Sequence, residues 1–120
     1  MESILTSIKK LLGIEEDYDC FDADLIMHIN SVFMILTQLG VGPKDGFIIE
    51  DADATWSDYL SDEELVMLSA VKSFIHLKVR LLFDPPSGSV AEQINKLLGE
   101  LEWRINISAE SLSKEEIQNG

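Results

Sequence analysis

The chain of 120 residues holds one cysteine, two histidines, three prolines and nine Lys or Arg side chains against 22 Asp or Glu. A single cysteine, Cys20, excludes an intrachain disulfide and a thiolate metal cluster. The histidines, His28 and His76, form neither H-x-x-x-H nor H-E-x-x-H, so no metal site is expected. Neither a P-loop nor a G-x-G-x-x-G segment occurs, which leaves no signature for cradling a phosphate. Asp51-Ala52-Asp53 lacks the remaining ligands of a calcium loop. No residue pairing marks an activated nucleophile. The shortage of Lys and Arg gives a net charge of −13 and a pI near 4.3. That balance opposes sequence-independent binding to DNA or to an anionic membrane. Charges interrupt every apolar run before it reaches spanning length. The apolar stretch after Met1 is broken by Lys9 and Lys10 and does not read as a signal peptide, so synthesis in the cytoplasm is expected. An enzyme or a cofactor-binding protein is therefore not expected.

What is present is apolar and helical. Hydrophobic residues make up 46% of the chain, enough to build a core. One domain over residues 1–110 is expected, followed by a polar, flexible tail over 111–120. The periodicity predicts an all-α fold of about four helices. The first spans about Glu2–Leu12 and stops at Gly13. The second spans about Asp22–Leu39, with Asp22 as a cap and Gly40 as its end. The third runs Asp62–Phe83, opened by the capping box Ser61-x-x-Glu64 and closed by Asp84-Pro85-Pro86. The fourth runs from Ser89-x-x-Glu92 to about Ala109 with a narrow stripe of Val90, Ile94, Leu97, Leu98, Leu101 and Ile105. Residues 41–60 are irregular. Phe47–Ile49 and Thr55–Leu60 are candidate strands of a small hairpin.

The third helix is apolar around well over half its circumference, with one polar strip of Ser69, Lys72, Ser73, His76 and Arg80. Such a helix belongs at the centre of a bundle or beneath neighbouring subunits. The second helix has a broad core stripe and a second, narrower one of Ala23, Met27 and Met34. That second stripe is either covered by the insert 41–60 or left for another chain. On the fourth helix, Trp103 and Ile107 project opposite the core stripe. They either anchor an interface or pack on the tail or on Pro85-Pro86. Lys72, His76 and Arg80 recur every four residues, either as a solvated face or as a complement to a neighbour's carboxylates, such as Glu15–Asp24.

Three function classes fit these features. An assembly subunit uses the surplus apolar stripes. An acidic DNA mimic uses the carboxylates. A small helical regulator binds one protein partner.

The order of segments narrows the choice. A short helix ends LLGI (Leu11–Ile14). Then come DADLIMHINSVFMILTQLGVG (Asp22–Gly42) and a loop carrying TWSDYL (Thr55–Leu60). AVKSFIHLKVRLLFDPP (Ala70–Pro86) and a helix ending EWRINISAE (Glu102–Glu110) complete the series. This order resembles the head–tail connector (adaptor) proteins of long-tailed phages and prophages, the gp6/gp15-like group, over about Met1–Glu110.

The resemblance implies a virion structural protein, an all-α subunit of a closed ring of roughly twelve copies. It implies a place beneath the portal, where the ring extends the DNA channel and receives the stopper or tail-completion protein. DNA passes through such a ring without specific binding. No catalytic residue is implied. The C-terminal helix implies a portal contact at Trp103, Arg104 and Ile107. The loop Gly42–Leu60 implies a docking surface, with Phe47, Ile48, Trp56 and Tyr59 as its apolar residues. Ala23, Met27, Met34, Lys72, His76 and Arg80 are the candidates for the contact between subunits.

Overall fold

The computed structural model describes residues 1–119, and side chains as far as Lys114. It is all-α: α1 spans Ile4–Leu11, α2 Asp22–Gln38, α3 Trp56–Tyr59, α4 Leu68–Phe83 and α5 Ser89–Asn119, with a 3-10 turn over Glu64–Met67. No strand occurs among the described residues, and one isolated antiparallel bridge joins Ser3 to Thr55. The hairpin expected over residues 41–60 does not form.

Local chemistry sets the helix boundaries. Ser3 caps α1 by accepting from the Thr6 N–H at 3.2 Å. Gly13, at φ +79°, lets the chain leave α1, and the Ile14 N–H returns to Lys9 O. Ser61 and Glu64 form the expected capping box, each accepting from the other's N–H. The turn it opens is 3-10, and regular α-helix begins at Leu68. Pro85 ends α4 at Asp84, whose backbone lies outside the helical region.

Asp22 is not the cap of α2. It is the first helical residue, and its carboxylate meets Lys9 Nζ at 2.9 Å. The Lys9 ammonium also donates to Glu16 O at 2.9 Å and Tyr18 O at 2.8 Å. Its side chain is 2% exposed. The ammonium thus donates to two carbonyls and is charge-paired with one carboxylate, the condition under which a buried ammonium is tolerated. This cage ties the acidic turn after α1 to the start of α2.

The core is one cluster, and α4 occupies its centre, packed against α1, α2 and α5. Val71, Phe74, Ile75 and Val79 are buried there among Leu25, Ile29, Phe33 and Leu36 of α2 and Ile94, Leu98 and Ile105 of α5. The burial of α4 is not complete. Val66, just before it, and Leu82, near its end, stay exposed. Val90 and Leu97, expected in the core stripe of α5, lie at its rim and are also exposed. α5 is longer than expected and runs past Ala109, which is buried, through Asn119. The expected flexibility of the tail concerns residues of which 115–120 lie outside the described side chains.

The insert 41–60 folds onto the bundle without a sheet. The Asn30 side chain bonds both the N–H and the C=O of Ile49, at 2.9 and 3.0 Å. One amide thus supplies what a neighbouring strand would have supplied. Thr55–Leu60, a candidate strand, instead begins a helical turn. The Thr55 N–H and hydroxyl both donate to Asp58 Oδ2, at 2.8 and 3.1 Å.

Candidate assembly surfaces

The surplus stripe of α2 is free of the insert. Met27 and Met34 are 58% and 65% exposed, and Ala23 lies exposed beside them. The insert attaches along the flank of this stripe, at Asn30, rather than over it. Next to that attachment Ile48 is 66% exposed. Ile48 is thus an apolar side chain left outside the core beside the attachment of the insert to α2.

The other three apolar residues of the expected docking loop belong to the fold. Trp56 is fully buried, and its indole N–H donates to Ser7 Oγ at 2.9 Å. Tyr59 is buried with its ring 4.6 Å from Phe33, and Phe47 packs on both at 5.3 and 5.0 Å between ring centroids. An aromatic loop with one alternating pattern reads equally as docking surface or core from sequence, and here three of its four apolar side chains pack inward. Burial, aided by the Glu64 charge, holds the Tyr59 hydroxyl protonated well above the ordinary phenol range.

On α5, Trp103 is 64% exposed and Ile107 41%. Arg104, also exposed, donates from Nη2 and Nε to Glu100 one turn earlier, at 2.8 and 3.1 Å. The opposite face of α5 sits on the core, and Asn106 reaches Leu39 O at the end of α2. Trp103 and Ile107 thus form an outward stripe that neither Pro85-Pro86 nor the described tail hides.

The polar strip of α4 is less available than its spacing implied. Lys72 lies 5.7 Å above the Trp56 ring and 4.0 Å from Glu2 Oε2. His76 and Arg80 are half-buried. Burial, with the neighbouring Arg80 charge, lowers the His76 pKa, so the imidazole favours its neutral form. Glu2, bonded to Lys10 at 3.1 Å, is held below the usual carboxylate range chiefly by that bond.

One exposed cluster was not anticipated. Tyr18, Phe21 and Phe83 form a ladder at the end of the bundle, with ring centroids 5.6 and 5.1 Å apart. Tyr18 and Phe21 are 48% and 38% exposed, and Leu82 beside Phe83 is 54% exposed. In sequence, Glu15–Asp24 reads as a turn of charges. Its two aromatics, immediately before a predicted helix, carry the missed signal.

An open groove of about 880 Å³ runs between the end of α2 and α5, edged by Leu39, Pro43, Lys44, Glu64, Glu110 and Leu112. Among the described residues, no three His, Cys, Asp or Glu side chains gather to hold a metal ion. No described helix is long and apolar enough to cross a membrane.

Apolar side chains left outside the core of a small helical domain mark surfaces for contact with other molecules. The sequence matches the family model described as phage connector protein over residues 4–111, and the chain belongs to that family. No curated protein and no solved structure matches it. The family is structural rather than catalytic and implies a head–tail connector role and a place in the virion.

Proposed function

We propose that this chain is a head–tail connector subunit of the gp6/gp15-like group, which assembles as a ring beneath the portal. In this reading the ring extends the DNA channel and presents a docking surface to the stopper or tail-completion protein. The observation that carries it is the family match across nearly the whole chain, together with apolar stripes on two separate helices that the monomer leaves uncovered. The outer stripe of α2, Ala23, Met27 and Met34, serves contact between subunits. His76 and Arg80 border that contact, and Lys72 contributes through its hold on Trp56 and Glu2. The C-terminal half of α5, from Trp103, Arg104 and Ile107 onward, faces the portal side. Copies near twelve close the ring. A net charge of −13 keeps the lumen from gripping phosphates, so DNA passes without specific binding.

Light scattering tests this reading. The mass of the purified protein is measured alone and after mixing with tail-less capsids that bear the portal. Binding at the portal vertex supports it, whether or not a ring forms in solution. A strict monomer that ignores such capsids overturns it and returns the DNA-mimic and regulator classes to consideration.

A further inference from the structure

The aromatic ladder Tyr18–Phe21–Phe83 has the features of a binding platform rather than of stray exposed side chains. It is held rigidly, since the Lys9 ammonium grips the Glu16 and Tyr18 carbonyls and the Asp22 carboxylate from beneath. Rigid aromatic side chains lose little freedom on binding, which is what distinguishes an anchor. The ladder is also rimmed by one sign of charge. Residues 15–24 hold six carboxylates and no Lys or Arg, and Asp84 follows Phe83. The one cation that reaches this turn is buried and already matched. A complement to the platform must therefore combine apolar anchors with positive charge.

Of the chain's two outward stripes, only that of α5 carries any positive charge, set among Glu100, Glu102 and Glu110. That of α2 includes no Lys or Arg over Asp22–Gln38. The stripe of α5 has Trp103 and Ile107 flanked by Lys96 and by Arg104. The Arg104–Glu100 pair is exposed on both sides, so a stronger partner can replace it at little cost. The two patches cannot meet within one copy. Trp103 lies 14 residues along α5 from Ser89, roughly 21 Å by helical rise. Asn106, three residues further on, touches Leu39, at the other end of α2 from Phe21.

We infer that the Tyr18–Phe21–Phe83 platform of one copy receives the Trp103–Ile107 stripe of a second copy, head to tail. Two different patches on one chain give a heterologous contact, the kind that repeats around a ring. Arg104 and Lys96 then lie against the carboxylates of the Glu15–Asp24 turn, within reach of the Tyr18 and Phe21 faces. The inference rests on the connector reading for the ring. It refines that reading in one respect: the neighbouring copy covers Trp103 and Ile107, and the portal is left the turns of α5 beyond them.

Cys20 tests the contact directly, because it is exposed between Tyr18 and Phe21. Ile107→Cys is made in the native chain and treated with a short bismaleimide, in concentrated solution and on portal-bearing capsids. A ladder of covalent multimers is expected, and it is lost in Ile107→Cys/Cys20→Ser. Trp103→Ala is expected to weaken self-association at least tenfold with an unchanged melting temperature. A covalent dimer that persists in Ile107→Cys/Cys20→Ser, with no larger species in Ile107→Cys, means that two α5 stripes face each other, and it overturns the inference. So does an assembled Ile107→Cys protein without a ladder. Trp103→Ala protein that forms full rings yet fails to attach to capsids assigns Trp103 to the portal, which also overturns it. A ladder from protein that ignores capsids keeps the contact and sinks the connector reading instead. Protein that stays monomeric throughout overturns both.

Discussion

Lys9 is the residue whose role is furthest from its appearance. In the sequence it is half of a Lys-Lys pair that breaks an apolar run. In the structure it is almost wholly buried, while Lys10 beside it is 61% exposed on Glu2. The difference is one of helical face: Lys9 follows Leu5 and Ile8 toward the core. Lys9→Met keeps the packing and removes the charge. It leaves two carbonyls without their donor and Asp22 without its partner, so a loss of about 3 kcal/mol is expected. Urea denaturation measures it, and a loss below about 1 kcal/mol would mean that water replaces the ammonium. His76 supplies a second test. Its pKa is lower in the folded protein than in the unfolded chain, so the unfolded chain binds the proton more readily. Its stabilising contribution is full above the ordinary imidazole value, about 6.5, and is lost as pH falls below it. The stability difference between wild type and His76→Gln should therefore narrow or reverse as pH drops from about 7 to 5.5. A difference that stays constant over that range would show that His76 does not titrate with folding.

At the scale of elements, the long amphipathic helices were legible and the insert was not. The period of α1, α2 and α4 and the Gly and Pro stops place the ends of these helices to within a few residues, because local chemistry fixes them, although α4 begins at Leu68, six residues after its expected start. The insert depends on partners far away in sequence, such as Asn30 for Ile49 and Ser7 for Trp56. A pattern of alternating aromatics cannot reveal those. Thr55-x-x-Asp58 was a readable helix start that the alternation of Trp56 and Leu60 concealed. Trp56→Phe separates the two roles of this insert. Loss of the indole N–H to Ser7 costs about 1 kcal/mol of stability and leaves self-association unchanged. An unchanged stability with weakened assembly would return Trp56 to a docking surface. Gly42 shows how tightly the insert is set. Its φ is +80°, its N–H donates to Glu64 Oε2 at 2.8 Å, and a Cβ there would run into the Tyr59 ring. Gly46 has a similar φ of +96° with open space around it. Gly46→Ala should cost about 1 kcal/mol from backbone strain alone, and Gly42→Ala roughly 2 kcal/mol more. Equal losses in thermal melts would show that Tyr59 yields easily.

For the whole molecule, the exposed stripes of α2 and α5 were visible in the sequence because Met27 and Met34, and Trp103 and Ile107, fall outside the main apolar stripes of those helices. Tyr18, Phe21 and Phe83 were not, since the ladder is built by packing the start of α2 against the end of α4. Their surfaces must bring together copies that each carry a net charge of −13. With extents of 46 × 34 × 20 Å, neighbouring centres stand roughly 30 Å apart. Treated as point charges in water, two copies then repel by roughly 20 kcal/mol without salt. Screening over ~8 Å at physiological ionic strength reduces that to below about 1 kcal/mol. The attraction of Lys96 and Arg104 for a neighbour's carboxylates is worth about 1 kcal/mol each at an exposed site, and salt weakens it as well. Salt therefore removes far more repulsion than attraction, so self-association should strengthen as salt rises from about 10 to 150 mM and level off beyond that. Sedimentation velocity across a salt series reads this directly. Association that instead falls steadily with salt would mean that local ion pairs outweigh the repulsion of the whole chain.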